Sequence, residues 1–462
     1  MEQILTFDME LIRRYDKAGP RYTSYPTAVQ FDSKFNANSY REAVARTNSK
    51  DKLRPISLYF HIPFCDTVCF YCGCNKIATK DRTKSPPYLD RVIRELELQG
   101  EIFDKNRVVD QLHWGGGTPT FLNHDEISRL MDATRANFNL RDDDEGEYSI
   151  EIDPREATVE TVALLRKEGF NRMSLGLQDF DSVVQKAVNR IQSEEETFAV
   201  LNAARDSGFK SISIDLIYGL PHQTADSFQK TVDKVLSVRP DRLSVFNYAH
   251  LPEIFKPQRR INEDDLPTSD QKLEILQRTN QQLSEAGYLY IGMDHFALPD
   301  DELAVAQREG TLYRNFQGYS THRSCDLVGI GVTSIGVVGN SYSQNIKELD
   351  GYYEAIDNGE LPIFRGVELD ADDLLRRDVI TELICNFKLT FSMIEQQHSI
   401  KFSEYFAQEI EDLKDMEKDG LLTMDSGSVT VATAGRLLIR NVCMVFDRYL
   451  REKQIQNFSK VI

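Results

Sequence analysis

The chain has 462 residues, 41% of them hydrophobic and 28% charged, and carries a formal net charge of −18. That length accommodates two or three domains and a large core, while the acidic balance excludes a generic nucleic-acid surface and attachment to anionic membranes. Residues 1–10 lack the basic start and apolar stretch of a signal peptide, and no apolar run reaches membrane-span length, so a cytoplasmic protein is expected.

In chain order, residues 1–50 are aromatic and polar with weak periodicity. Within them, Lys17-Ala-Gly-Pro-Arg21-Tyr-Thr-Ser-Tyr-Pro26-Thr27 predicts an extended, partly rigid arm. It reads either as a surface strap or as a lid carrying the Arg21 cation. From Ile56 to Ala297, apolar runs alternate with amphipathic stretches. Strands are predicted at Ile56–Ile62, Val108–His113, Tyr148–Ile152, Arg172–Leu177, Ser211–Tyr218 and Arg242–Asn247. Helices are predicted at Tyr88–Phe103, Asp125–Asn137, Val159–Glu168, Ser193–Ser207, Ala225–Val238 and Ser269–Glu285. Repeated βα units imply a parallel sheet with right-handed crossovers, and six of them suit a partial (β/α)6 barrel better than a closed eight-unit one. Residues 298–345 leave this rhythm. They contain the Asn315–Tyr319 segment and the glycine-punctuated Gly329–Gly336 run, which can pack against a ligand or a sheet; His322 and Arg323 read as solvated loop residues or as cations for an anionic substrate. Beyond 350 the pattern becomes helical, with a hairpin at Leu421–Met424 and Ser428–Val431 and a helix over Ala434–Leu450. The domains are therefore drawn as 1–50, an arm or lid; 51–350, a partial-barrel catalytic domain; and 351–462, a mainly helical domain.

Chemistry gathers at the carboxyl ends of strands in such folds. The loop after the first strand holds four of the seven cysteines, with Cys65, Cys69 and Cys72 spaced C-x3-C-x2-C and Cys74 just beyond. Soft thiolates on a strand-end loop suggest zinc or an iron–sulfur cluster. Zinc sites usually add a distant second ligand pair, and none follows here. Three cysteines would leave one iron of a cluster open to a small molecule. A zinc knot or merely packed thiols are the bland alternatives, but closely spaced thiols on a polar loop are poor core filler. Cys325, Cys385 and Cys443 are isolated, unlike a disulfide framework, which points to a reducing compartment. Gly115, Gly116 and Gly117 follow the second strand without a phosphate-loop motif. Glu151 and Asp153 close the third strand, Gln178 follows the fourth, Asp215 lies late in the fifth, and Ala249 follows the sixth. Arg190 reads as a carboxylate clamp or a surface residue.

The cysteine spacing resembles the radical S-adenosylmethionine (SAM) enzymes, in which three cysteines hold a [4Fe–4S] cluster and the fourth iron binds SAM. Over essentially its full length the chain resembles the oxygen-independent coproporphyrinogen III oxidase family. The resemblance is carried by Pro20–Pro26, the cysteine loop, His113-Trp-Gly-Gly-Gly-Thr-Pro-Thr120, Ser149–Pro154, Gly176–Phe180, Ile214–Pro221, Asn315–Tyr319 and Gly435–Arg440. It implies that Cys65, Cys69 and Cys72 ligate iron and that Cys74 is needed without being a ligand. Two SAM molecules are implied: one touching Tyr59, Gly115, Glu151 and Ile335, the other Tyr71, Gly116, Gly117, Gln178, Arg190, Asp215 and Ala249. The implied reaction removes hydrogen from a propionate β-carbon and loses CO2 and one electron, twice, to form vinyl groups. Arg21 and Gln317 are assigned near the substrate, coproporphyrinogen III. A low-potential electron donor, an electron acceptor and a monomeric state complete the expectation. The rival is a haem-chaperone paralogue, which shares the barrel and C-x3-C-x2-C but has Cys-Asp-Phe in place of Cys72-Gly-Cys74 and lacks the Arg21–Pro26 arm. A non-enzymatic haem carrier of another class would take up haem without cleaving SAM. Two departures from the family pattern are Ile191, where an acidic residue is expected after Arg190, and the segment 321–325.

Overall fold

The structure is a computed structural model that describes residues 5–49 and 52–452. Two compact units are present. One comprises residues 31–272 and 324–368; the other comprises 1–30, 273–323 and 369–462.

The first unit is built on a sheet whose strands we label β1 (Ile56–Ile62), β2 (Val108–Gly116), β3 (Glu147–Ile152), β4 (Arg172–Gln178), β5 (Ser211–Tyr218), β6 (Arg242–Asn247), β7 (Asp326–Ile330), β8 (Ile335–Val338), β9 (Ser341–Asn345) and β10 (Ile363–Glu368). Within the unit their order is β6-β5-β4-β3-β2-β1-β7-β8-β9-β10. The six predicted strands are all present, run parallel, and neighbour one another in sequence order. Their crossover helices match the periodicity closely, for example Ser85–Ile102, Val159–Lys167 and Ala225–Val238. Capping boxes start the Val159, Glu194 and Ala225 helices from Thr158, Ser193 and Thr224, satisfying amide donors that the helix leaves open. β2 continues three residues past its predicted end, because β1 pairs with it as far as Ile62 with Gly116. The glycine run therefore begins inside the sheet.

The seventh strand, β7, lies parallel to β1, on the side opposite β2, and supplies what the glycine-punctuated segment was free to do: it packs into a sheet. β8 to β10 then extend it antiparallel. Both ends of β7 are pinned by buried charge. Arg107, fully buried, donates to Asp326 at 2.6 Å, with Arg54 at 3.1 Å. At the other end, buried Glu95 accepts from the Gly331 amide (2.8 Å), the Asn345 amide group (2.7 Å) and the Tyr352 phenol (2.6 Å). Burial drives the Glu95 carboxyl up to about 7 against these three donors.

Each parallel strand has two faces. Leu58, Phe60 and Ile62, with Leu112 and Trp114 beside them, are fully buried. Alternate positions are polar and lie in register across the sheet: Tyr59 beside His113, His113 beside Ser149, Glu151 beside Ser174, and Asp215 beside both Gly176 and Ser244. The period of two thus places one apolar layer and one row of chemistry-bearing groups on opposite faces.

In the other unit, residues 17–27 run without helix, as their two prolines predict, between the helix Met9–Tyr15 and a short turn at Ala28–Gln30. Its later part is mainly helical, with Ala371–Asn386, Phe391–His398 and Ala407–Lys418. The hairpin pairs Leu422–Met424 with Ser428–Val431 and gains a third strand, Lys388–Thr390. The helix predicted over Ala434–Leu450 is interrupted. It forms only at Ile439–Val445, and Asp447 then accepts from the Tyr449 and Leu450 amides, capping a separate turn at Arg448–Glu452. No helix among the described residues is long and apolar enough to cross a membrane.

Candidate active site

The cysteine loop leaves β1 through a short parallel bridge, Phe64–Cys65 with Ile77–Ala78, so its two ends are tied together. Gly117 sits where this loop crosses the end of β2. A Cβ there would lie 2.6 Å from the Phe64 carbonyl oxygen, so only glycine fits. Gly115 is glycine because the Glu151 carboxylate lies over it, at 2.9 Å from where a Cβ would stand. These glycines let protein groups close on the site.

These elements enclose a cavity of about 300 Å³, lined by Cys65, Cys69, Tyr71, Cys72, Cys74, Gly116, Gly117, Glu151, Gln178, Arg190 and Asp215. Eleven residues singled out in the sequence therefore converge on one space. Tyr59, Gly115, Ala249 and Ile335 belong to the same unit without lining that cavity. Tyr59 stacks on His113, with ring centroids 5.8 Å apart, and Gln258 donates both to the Tyr71 carbonyl (3.0 Å) and to that of Ala249 (3.2 Å). Ile335 starts β8, its backbone against Gly329. Arg21 and Gln317 belong to the other unit. Ile191 is exposed, so its departure from the family pattern adds no group to the cavity. Arg323 is bound at 2.7 Å to Glu382 and is no longer a loosely solvated cation.

Electrostatics set the donors' character. Arg190 is buried, contrary to the usual fate of an arginine near a helix end; it donates to Asp153 at 2.9 Å, to the Gly176 carbonyl, and to the Cys69 sulfur at 3.6 Å. Arg155 bridges the same Asp153 (2.6 Å) and Cys69 (3.9 Å). Burial would raise the Asp153 carboxyl, but these two guanidiniums outweigh it and hold the group below its usual range. The Cys72 thiol is held well below the ordinary range, first by a hydrogen bond from Cys74 and further by Lys76. Burial instead pushes Cys65 up to about 11, so metal uptake at this loop must release a proton. The Glu151 side chain is 47% exposed, open to the cavity. Desolvation opposes its charge, yet His113 at 3.3 Å and the Gly116 amide at 3.2 Å keep it ionised below the usual glutamate range. Asp215 behaves oppositely: burial raises it to about 6 despite hydrogen bonds from Ser244 and Ser174.

The donor set fits the implied cofactors. Three thiols on one loop face Lys76, Arg155 and Arg190, which offset the negative charge of a thiolate-bound cluster. Gln178 Oε1 and Arg190 Nε are buried with no hydrogen-bond partner among the described residues, and Gln178 adopts φ = +71°, a strained backbone for a residue bearing a Cβ. Such unsatisfied groups at a cavity wall suit a polar ligand. Arg155 and Lys76 were not anticipated. Their signal was position alone: Arg155 two residues beyond Asp153, Lys76 four beyond Cys72.

A strand-end cavity with C-x3-C-x2-C defines the class, and the profile described as the Radical SAM superfamily matches residues 59–235. The HemN C-terminal domain profile matches residues 369–438. The chain is 56% identical over 462 residues to a Pseudomonas aeruginosa protein named oxygen-independent coproporphyrinogen III oxidase, covering 100% of both. Against the Escherichia coli K12 protein of that name it is 53% identical over 461 residues, covering 100% of this chain and 99% of the other. The solved structure of the Escherichia coli coproporphyrinogen III oxidase, described as a radical SAM enzyme, superposes with a TM-score of 0.92 at 52% identity, covering 97% of this chain and 100% of that one. The chain belongs to the oxygen-independent coproporphyrinogen III oxidase family.

Proposed function

We propose that this protein converts coproporphyrinogen III to protoporphyrinogen IX without oxygen, by oxidative decarboxylation of two propionate side chains. The observation that carries this is the cavity that joins Cys65, Cys69 and Cys72 to Glu151, Gln178, Arg190 and Asp215, in a chain so close to the named oxidases over its full length. Cys65, Cys69 and Cys72 hold a [4Fe–4S] cluster, and Cys74 supports Cys72 through its hydrogen bond. When bound, the cluster and SAM supply a hydrogen-abstracting radical, formed by one-electron reduction of the sulfonium.

The chain's own groups bind and orient. Two SAM molecules would bind, the first against Tyr59, Gly115, Glu151 and Ile335, the second against Tyr71, Gly116, Gly117, Gln178, Arg190, Asp215 and Ala249. Glu151, ionised, accepts from an ammonium; Asp215 accepts from ribose hydroxyls or an ammonium; Arg190 offers its unused Nε to a carboxylate. Gly117 and the loop bridge pack the cysteine loop closely on the strand ends, which would limit water at the site where the cofactors bind. Each round takes one hydrogen atom and one electron from a propionate and releases CO2, so a low-potential donor and a separate acceptor are needed. The enzyme acts as a monomer in the cytoplasm, where thiols stay reduced. No observation favours the haem-chaperone reading.

The test is anaerobic: reconstituted protein with a reductant, SAM and coproporphyrinogen III, followed by chromatography of 5′-deoxyadenosine and protoporphyrin. Both should form and both should vanish in Cys69→Ser. Haem binding without decarboxylation would overturn the reading.

A further inference from the structure

Gln178 and Arg190 reach the cavity from two segments that are tied together by a buried polar network. β4 ends in a bulge: its register against β5 shifts between Gly176 and Gln178, and Gln178 takes up its positive φ there. A bulge re-aims a side chain, and a residue bearing a Cβ keeps such a backbone only where its surroundings hold it. The next residue does the holding. Asp179 is 2% exposed and lies outside the cavity lining. One oxygen of its carboxylate accepts from the Thr231 hydroxyl at 2.6 Å and the Asp181 amide at 2.8 Å, and the other accepts from the Gln223 side-chain amide at 2.6 Å. Gln223 is fixed in turn, accepting from the Leu220 amide at 2.8 Å and donating to the Ile217 carbonyl at 2.9 Å.

The main chain of Asp179 is held as well. The buried Gln185 side chain donates from one nitrogen to the Asp179 and Gln192 carbonyls, both at 2.9 Å, while its oxygen accepts from the Gln192 amide at 3.1 Å. The Gln185 carbonyl accepts from the Arg190 amide at 2.9 Å. One glutamine therefore joins the residue after Gln178 to the residues on either side of Arg190. The two segments it joins carry an unmatched acceptor, Gln178 Oε1, and an unmatched donor, Arg190 Nε. Every donor to the Asp179 carboxylate is neutral, and burial raises this carboxyl above the usual aspartate range. An apolar side chain would pack there without that desolvation cost; a carboxylate adds directed acceptors, which fix the orientation of the chain around it.

We propose that Asp179 and Gln185 are positioning residues that set the direction and spacing of Gln178 and Arg190 for the second SAM, leaving the SAM at the cluster to other groups. This assignment rests on the two-SAM reading of the proposed function.

The test is equilibrium dialysis of SAM against the reconstituted full-length protein, which counts the molecules bound and measures their affinities. Electron paramagnetic resonance of the reduced cluster reports separately on the SAM at the iron. The wild-type protein should bind two molecules. Asp179→Asn keeps the shape of the side chain but turns a donor toward the Gln223 nitrogen, and Gln185→Met removes the bridge at similar volume. Each should weaken one of the two molecules by about 10-fold while the SAM-induced change in the cluster signal is retained. Combining Asp179→Asn with Gln223→Glu exchanges donor and acceptor and should recover part of the loss. Two molecules bound with unchanged affinities in both variants, or an equal loss of both molecules, would overturn the positioning role and leave the two-SAM reading standing. A wild-type stoichiometry of one would overturn that reading and this assignment with it.

Discussion

Around the cysteine loop, the buried Arg190 and the half-buried Arg155 both have a carboxylate: they lie 2.9 Å and 2.6 Å from Asp153. In the unit that carries the arm, Arg314 is as deeply buried, yet its Nε and Nη1 lack acceptors among the described residues, and the nearby Asp294 is bound to Arg21. The first arrangement pre-sets charges for a cofactor that is itself anionic at the cluster and zwitterionic at SAM. The second leaves a buried guanidinium with donors unmet among the described residues. The difference separates a site whose charges are paired before any cofactor binds from a cluster that leaves a buried cation partly unpaired.

This contrast can be broken or sharpened by substitution. The largest effect is expected from Cys69→Ser, which removes a sulfur that accepts from both Arg190 and Arg155. Iron content after reconstitution should drop and turnover should fall by at least ~100-fold. Asp153→Ala comes next. It strands the buried Arg190 guanidinium and the half-buried Arg155, and should lower the unfolding free energy by about 3–5 kcal/mol, read from the denaturant midpoint. If stability were unchanged, the pairing around the loop would not be the strut assumed here. Gly117→Ala places a methyl group against the Phe64 carbonyl and should cost about 1–3 kcal/mol in the same assay, with loss of cluster binding as the loop shifts.

Asp215→Asn gives the smallest effect and one of opposite sign. The carboxyl is raised by burial to about 6 in the folded chain, above its unfolded value, so its ionisation opposes folding. The folded state holds the proton more tightly between about pH 4 and 6. Stability therefore falls as pH rises through that window, and the penalty is complete above it. Asparagine should stabilise the cofactor-free protein by roughly 1–2 kcal/mol at pH 8 and leave it unchanged at pH 4, while weakening SAM binding. Destabilisation at pH 8 would show that the carboxylate is better solvated than its burial indicates.

The barrel and its site were legible because their information is local. Cys65, Cys69 and Cys72 fall within one loop, and strand-end positions such as Glu151, Gln178 and Asp215 follow from a single topological rule. One signal went unused: Ser211-Ile-Ser-Ile-Asp215 and Tyr148-Ser-Ile-Glu-Ile152 alternate polar and apolar residues, which announces a sheet with a polar face as well as an apolar one. β7 was harder to place, because what seats it beside β1 is a pairing of Arg107 with Asp326, 219 residues apart in sequence. The arginine cluster was harder still. Arg21, Arg314 and Arg440 come from an extended arm, a hairpin and a helix, each unremarkable by itself, and Asp294, the partner of Arg21, sits in a turn with no motif.

The claim on which all else depends is that the three-cysteine loop holds a cluster with one iron left for SAM. Electron paramagnetic resonance of the reconstituted, reduced protein, recorded before and after SAM is added, tests it most directly. A [4Fe–4S]⁺ signal that shifts on SAM addition, and is absent from Cys69→Ser, is the predicted result. Zinc in place of iron, or a cluster signal indifferent to SAM, would contradict the account.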